Sequence, residues 1–261
     1  MKITQLRNAT ILISTGGYRI LVDPMLAPKG SIPALKYATR SRRRNPLVDL
    51  PADTEALLST VTHALITHCQ KGHFDHLDRA GSKWLRERQI PVFCMPEDAD
   101  FLRKKGLVVQ PLASGRQVFL SGEVTPVPCT HGTGLVGSFM AHGHGYFLTF
   151  PGEPSLYLAG DTILTAQIRD FITWEQPDIC LLPAGGARFD LGGEIIMGAE
   201  DILAVSGITK GVIIANHLEA LDHCPVTREQ LITLRDKQGL GERLRVPDDG
   251  ETVVLQAAPP D

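Results

Sequence analysis

Residues 67–78 read THCQKGHFDHLD. They gather His68, His73 and His76, with Asp75 and Asp78 among them, directly behind the apolar run ALI. Imidazole nitrogens and carboxylate oxygens suit zinc, iron or manganese, so the stretch first suggests a metal site. Three residues elsewhere share its context. His131 closes EVTPVPCT, Asp161 closes SLYLAG and His217 closes GVIIAN, just as His68 follows HALIT. One histidine after a strand is ordinarily a capped or solvent-facing residue. Four strand ends that each deliver a ligand-type side chain, beside an HFDH cluster, point to a common site, because sites collect where neighbouring strands end in layered α/β proteins. Asp161, in AGDT, could bridge two cations. Two nearby cations acidify a shared water, so that hydroxide is available at neutral pH, and they polarise a carbonyl or phosphoryl oxygen.

The elements that must carry these residues follow from alternation and turn chemistry. KITQLRNATILIS and YRILVDP read as strands around Gly16-Gly17, a hairpin signal. Residues 25–51 hold prolines, a glycine and a basic run without a clean period, which predicts a long ordered loop that shapes a pocket. ADTEALLSTV reads as a short helix starting near Asp53 or Thr54, and HALIT as a buried strand. A βα rhythm follows: DRAGSKWLRERQ helical, PVFCM a strand, EDADFLRKKG a helix stopped by Gly106. The middle is strand-rich, with VVQPL, RQVFLS, EVTPVPCTH, GSFMAHGHGYFLTF and SLYLAGD. The rhythm then returns through TAQIRDFITW, ICLLPA, GAEDILAVSG, GVIIANH, TREQLITLRDKQG and TVVLQ. Two strand-rich blocks, each joined to helices, predict two sheets packed face to face with helices outside. That is an α/β protein, a four-layer αββα sandwich, expected as one domain over residues 1–261.

The order TH…HFDH, His131, YLAGDT with Asp161, and ANH with His217 resembles the metallo-β-lactamase-fold hydrolases, which carry a THxHxDH motif, a later His, a bridging Asp and a last His. NATILI, LVDPMLAP, RNPLVDLP, LYLAGDT and ANHLEALDHC further resemble the branch that includes L-ascorbate-6-phosphate lactonase and many metal-dependent hydrolases. The resemblance covers nearly the whole chain. It implies two divalent metal ions, zinc in the first place with manganese or iron as alternatives. One would take His68, His73 and His131, the other Asp75, His76 and His217, and Asp161 would bridge. Asp75 is also implied as the acceptor, or orienter, of the attacking water's proton.

One departure bears on this assignment. The family places one residue between its first two histidines; CQKG places four between His68 and His73. Either QKG is an insertion that bulges outward, with Gly72 permitting the turn, or Lys71 occupies the first histidine's place. An ammonium beside a cation is electrostatically poor, which favours His68.

Other residues carry weaker signals. Asp23, after a strand in LVDP, could support a metal-bound histidine or simply form the turn before Pro24. Glu219 and His223 in HLEALDHC could support the site or cap a loop. His63 reads as structural. His142 and His144 have HxH spacing, which would put both on one face of a strand; a solvent-facing hairpin is the expected role rather than a third metal. Arg40, Arg42, Arg43 and Arg44 form a basic run whose default is a solvated face. Its sharper reading, centred on Arg43 and Arg44, is a clamp for an anionic substrate, since guanidinium binds phosphate bidentately. Cys69 reads as a small buried neighbour of the motif. PAGGARFDLGG lacks the spacing and lysine of a phosphate-binding loop and reads as a tight loop near the site.

Composition narrows the function classes. The 261 residues are 43% hydrophobic and 21% charged, enough for a sizeable core. The formal net charge of -3 gives no support to a nucleic-acid partner. The first residues do not read as a signal peptide and no apolar run approaches the length of a membrane span, so neither is expected. Five scattered cysteines without a CxxC pair read as reduced thiols, so a cytoplasmic location is expected. The expected partner is a small-molecule substrate, with homo-oligomer formation left open. The leading expectation is a hydrolase of a small anionic ester, lactone or phosphoester. A phosphodiesterase or nuclease on the same scaffold, and a non-catalytic sensor with an altered first metal site, are the competing classes.

Overall fold

Strands β1 (Lys2–Arg7), β2 (Thr10–Thr15) and β3 (Tyr18–Val22) form an antiparallel meander in the computed structural model. The structure describes residues 1–37, 42–70, 73–134, 137, 140 and 142–257. Gly16 and Gly17 join β2 to β3 with φ of 55° and 84°, the left-handed conformations that a tight hairpin demands. The chain then changes to parallel pairing. β4 (His63–Leu65), β5 (Pro91–Cys94) and β6 (Val108–Pro111) add one after another beside β3. Helices α1 (Thr54–Ser59), α2 (Arg79–Glu87) and α3 (Pro96–Lys104) lie between these strands in the sequence. β14 (Thr252–Val254) returns from the far end of the chain to pair with β1, giving the order β14-β1-β2-β3-β4-β5-β6.

The second sheet has β7 (Gln117–Phe119), β8 (Gly122–Pro128), β9 (His144–Thr149), β10 (Leu156–Leu158), β11 (Ile179–Pro183), β12 (Val212–Asn216) and the short β13 (Leu244–Arg245), in sequential order across the sheet. Helices α4 (Ala166–Glu175), α5 (Ala199–Ser206) and α6 (Arg228–Lys237) accompany its parallel half.

The period of two along each strand sorts the side chains into layers. Ile11 and Ile13 meet Leu156 and Leu158 between the sheets. Leu12 points the other way, into a cluster with Leu85 of α2 and Leu102 of α3. Tyr157 likewise turns outward, toward Ile168 of α4 and Ile202 of α5. Each buried aliphatic side chain stabilises this packing by about 1.5–3 kcal/mol. Both sheets are covered on both faces, so their central strands run apolar rather than alternating polar and apolar. The predicted αββα sandwich is the observed one. No helix among the described residues is long and apolar enough to cross a membrane.

Two contacts fix the long excursion after β3 against this frame. Arg7 is fully buried and donates to the carbonyl oxygens of Met25, Ala27 and Val48. Asp78, the N-cap of α2, accepts from Gly81 N and also from Ala27 N, each at 2.6 Å. A Cβ at Gly81 would lie 2.0 Å from the Pro24 carbonyl oxygen, so only glycine lets α2 press against the segment carrying Asp23. Two details differ from the sequence expectation. β9 begins at His144, so His142 precedes the strand and the two histidines do not share a strand face. β13 has only two residues after a short 3-10 turn, too few to show a period in the sequence.

Candidate metal centre

His68 lies just past β4, His131 past β8, Asp161 past β10 and His217 directly after β12. Their strands come from both sheets, and the four side chains meet at one rim of the sandwich. With the HFDH segment they form two groups: His68, His73 and His131, and Asp75, His76, Asp161 and His217. Within each group one ligand-type atom per residue lies within 4.8 Å of all the others, and every member is buried. His68 Nε2 stands 3.1 Å from His73 Nδ1. Asp161 Oδ2 is shared between the groups, at 3.1 Å from His76 Nε2, 3.4 Å from His217 Nε2 and 3.6 Å from His131 Nε2. Asp75 Oδ2 approaches His217 and His76 at 3.5 and 3.6 Å. His68 therefore reaches the cluster despite the CQKG spacing; Lys71 and Gly72 lie outside the described residues.

The donor set suits a divalent cation. All its atoms are nitrogen or oxygen, and His76 Nε2 is buried without a hydrogen bond although a carboxylate oxygen is 3.1 Å away. The Nε2 lone pair is therefore not taken up by a hydrogen bond within the protein and is available to an ion. Electrostatics separates the groups. Burial, with neighbouring imidazoles, pushes His68 well below its ordinary pKa; burial takes His73 down to about 4 and also lowers His131. These three are ready as neutral ligands. Burial opposes charge on His76 and His217 too, but Asp161 and its neighbouring carboxylates outweigh it and raise both. In return, His76 and His217 hold Asp161 well below the usual carboxylate range against the effect of burial, and His76 does the same for Asp75.

Surrounding residues aim the ligands. Asp23 is buried; its Oδ2 takes His76 Nδ1 at 2.8 Å and the Thr67 hydroxyl at 2.6 Å, while Oδ1 takes Thr67 N at 2.9 Å. The proton is thus fixed on His76 Nδ1 and the Nε2 lone pair left for the cluster. His131 donates from Nδ1 to the Ile195 carbonyl oxygen at 2.8 Å, with the same effect. Backbone strain gathers here: Asn8, Asp23, His217 and Glu219 all have positive φ, between 44° and 58°. His217 N donates to Asn8 O at 3.0 Å, and a Cβ at Gly185 would meet the His217 carbonyl oxygen at 2.2 Å. Sequence reasoning did not single out Asn8 or Thr67. Their signals were present, an asparagine at a strand turn in NAT and a hydroxyl before the first histidine.

A cavity of about 340 Å³ opens above Asp75, Asp161, His73 and His131. Its walls are Leu35, Tyr37, Phe74, Met140, Phe189 and Ile195, with His223. No lysine or arginine is among these residues. Arg44 donates its guanidinium to the carbonyl oxygens of Gly30 and Ser31, and Arg43 meets Asp222 through its backbone N–H. Neither lines the cavity, and Arg40 lies outside the described residues. Glu219 is not brought to the cluster either; its carboxylate holds Arg228 at the start of α6. His63 packs between Tyr18 and Phe93. Burial, helped by Asp98, raises the pKa of the Cys69 thiol, and Cys69 joins neither donor group. His142 stands 3.4 Å from the buried Asp98.

This geometry agrees with comparison to known proteins. The Beta-lactamase superfamily domain family matches residues 2–217. The UPF0173 protein YddR of Bacillus subtilis is 34% identical over 97% of this chain and 99% of its own length. A UPF0173 metal-dependent hydrolase of Azorhizobium caulinodans is 32% identical over 74% of this chain and 77% of its own. Among solved structures, an isothiocyanate hydrolase from Delia radicum gut bacteria superposes with a TM-score of 0.89 at 32% identity, covering 98% of this chain and all of that one. The chain has the metallo-β-lactamase fold and belongs to the UPF0173 family of the beta-lactamase superfamily.

Proposed function

We propose that this chain is a metal-dependent hydrolase with two divalent cations, zinc in the first place, that acts on small, uncharged, apolar electrophiles of the isothiocyanate class. His68, His73 and His131 would hold one cation and Asp75, His76 and His217 the other, with Asp161 between them. Cations held there would acidify a water and polarise the electrophile. Asp75, which lines the cavity, would receive the proton the water loses. Asp23 and the Ile195 carbonyl oxygen keep His76 and His131 in their ligand-ready tautomers.

The observation that carries the substrate reading is the cavity: carboxylates and imidazoles at its floor, aliphatic and aromatic walls above, and no cationic side chain among the described lining residues. Such walls favour an apolar group over a phosphate, so the basic run supports the anionic ester or lactone less than the sequence suggested. The similarity to an isothiocyanate hydrolase over almost the full chain points the same way.

The test is reconstitution with zinc, manganese or iron, metal analysis, and a panel of benzyl isothiocyanate, a neutral lactone, p-nitrophenyl acetate and bis(p-nitrophenyl) phosphate. Two metal equivalents and preferred turnover of the isothiocyanate are expected. Preferred turnover of the phosphodiester would move the reading to the phosphodiesterase class. One metal and no hydrolysis would favour a sensor.

A further inference from the structure

We infer that His223 is a catalytic residue, whose Nε2–H gives its proton to the nitrogen that leaves the substrate; the inference rests on the isothiocyanate reading above. His223 is buried at 4% exposure, yet it joins neither donor group. Its imidazole lines the cavity together with Asp75 and Asp161. The ring lies nearly parallel to Phe189, with centroids 5.9 Å apart and planes 23° apart, which fixes its orientation. Nδ1 faces the sulfur of Cys224 at 3.9 Å, and Nε2 has no hydrogen-bond partner among the described residues. A buried imidazole serving only the architecture would be expected to bond a carbonyl or a carboxylate; even the ligand-type His131 and His76 each have Nδ1 taken by a protein oxygen. His223 has no such partner among the described residues and stands in the cavity lining.

The proton is needed because an amine is a poor leaving group without one. A C–O bond forms at the heterocumulene carbon and the C=N π pair passes to nitrogen, which takes the Nε2 proton. Asp75 receives the proton of the attacking water. The proton on Asp75 restores Nε2–H; the C–N bond of the resulting monothiocarbamate then breaks with its pair on nitrogen, which takes this second proton from Nε2, and the monothiocarbamate O–H proton returns to Nε2 as amine and carbonyl sulfide depart. The proton on Asp75 and the O–H proton of the monothiocarbamate, both from the one water, balance the two that nitrogen gained.

The experiment compares kcat/KM of the metal-loaded wild type, His223→Ala and His223→Gln on benzyl isothiocyanate and 4-nitrophenyl isothiocyanate. A nitroaniline leaves with far less help from a proton than benzylamine does. His223→Ala is expected to lose about 10²-fold or more on the benzyl substrate, the usual scale of general acid catalysis, and at least tenfold less on the nitrophenyl one. His223→Gln, which keeps the ring's volume in part but no acidic proton, should show the same selective loss. The ratio of the two substrates within one variant is independent of how much enzyme is folded or metal-loaded. An unchanged ratio in both variants overturns the role of His223 alone. A wild type that turns over neither isothiocyanate overturns the substrate reading, and the proton-donor role with it.

Discussion

Asp23→Asn tests whether the geometry around His76 serves a metal. The Asp23 carboxylate accepts three hydrogen bonds, from His76 Nδ1, the Thr67 hydroxyl and Thr67 N. Asparagine has one acceptor oxygen and one NH2 group. If its oxygen keeps the Thr67 backbone bond, the NH2 faces His76 Nδ1–H and the hydroxyl; if flipped, the NH2 faces Thr67 N–H. Either way one donor meets another, and the charge that makes His76 a better ligand is gone. The lost charge-assisted bond is worth about 1.5–3 kcal/mol. Supporting carboxylates of this kind typically change metal affinity by about 10–100-fold, or about 1.4–2.7 kcal/mol. Asparagine tolerates the left-handed φ of 44° at this position, so the backbone is not what changes. The assay is competition with a graded chelator, read by metal analysis, with circular dichroism to confirm the fold. A folded Asp23→Asn protein that binds both cations as tightly as wild type would refute the reasoning.

Metal stoichiometry should depend on pH in two stages. Asp161 and neighbouring carboxylates overcome burial to raise His76 and His217, whereas burial lowers His68, His131 and, to about 4, His73. Protons therefore compete with a cation at the Asp75–His76–His217 group first, and as pH is lowered dialysed protein should pass through a one-metal stage before losing the second cation; simultaneous loss of both would count against this. Asp222→Ala removes the acceptor of Leu35 N, Lys36 N, Arg43 N and Asn45 Nδ2. It should lower unfolding stability in urea by about 2–4 kcal/mol and raise KM at unchanged metal content, because Leu35 and Tyr37 form the cavity wall. Arg44→Ala, alone or with Arg43→Ala, should leave kcat/KM near wild type and unfolding stability within about 1 kcal/mol, since the Arg44 donors are spent on exposed loop carbonyls. A marked loss of activity at low salt would restore the anion clamp.

The floor of the site was legible in the sequence and its walls were not. Metal ligands come from a few residue types, and strand ends are marked by the apolar runs before them. The sequence alone therefore places His68, His131, Asp161 and His217 together. Asp23 was ambiguous because a turn residue before proline and a supporting carboxylate look alike; only the hydrogen bonds to Thr67 and His76 separate them. The cavity walls come from loops without a period, and Leu35, Phe74, Met140 and Phe189 meet only in space. The basic run misled for the same reason: its charge is visible in the sequence, but not the carbonyl oxygens of Gly30 and Ser31 that occupy Arg44.

The unusual CQKG spacing follows from where the motif is anchored. At its start, Thr67 is pinned by Asp23 through both its N–H and its hydroxyl. At its end, Asp78 is pinned by Gly81 N and Ala27 N. The turn that carries the HFDH residues is held by its own backbone, with His76 N and Leu77 N both directed at the His73 carbonyl oxygen. Gln70 is tethered twice, its Nε2 donating to the Glu97 carbonyl oxygen at 2.5 Å and its own carbonyl oxygen accepting from His73 N at 3.2 Å. With both ends of the motif anchored outside it and the Gln70–His73 backbone hydrogen bond closing the connection, the number of residues between His68 and His73 does not by itself set the distance between their rings. Extra residues in such a connection add only slowly to the entropy of closing it, about 0.6 kcal/mol per doubling of length. A sequence rule that counts residues between ligands therefore fails here, whereas one that asks which strand end delivers each ligand succeeds.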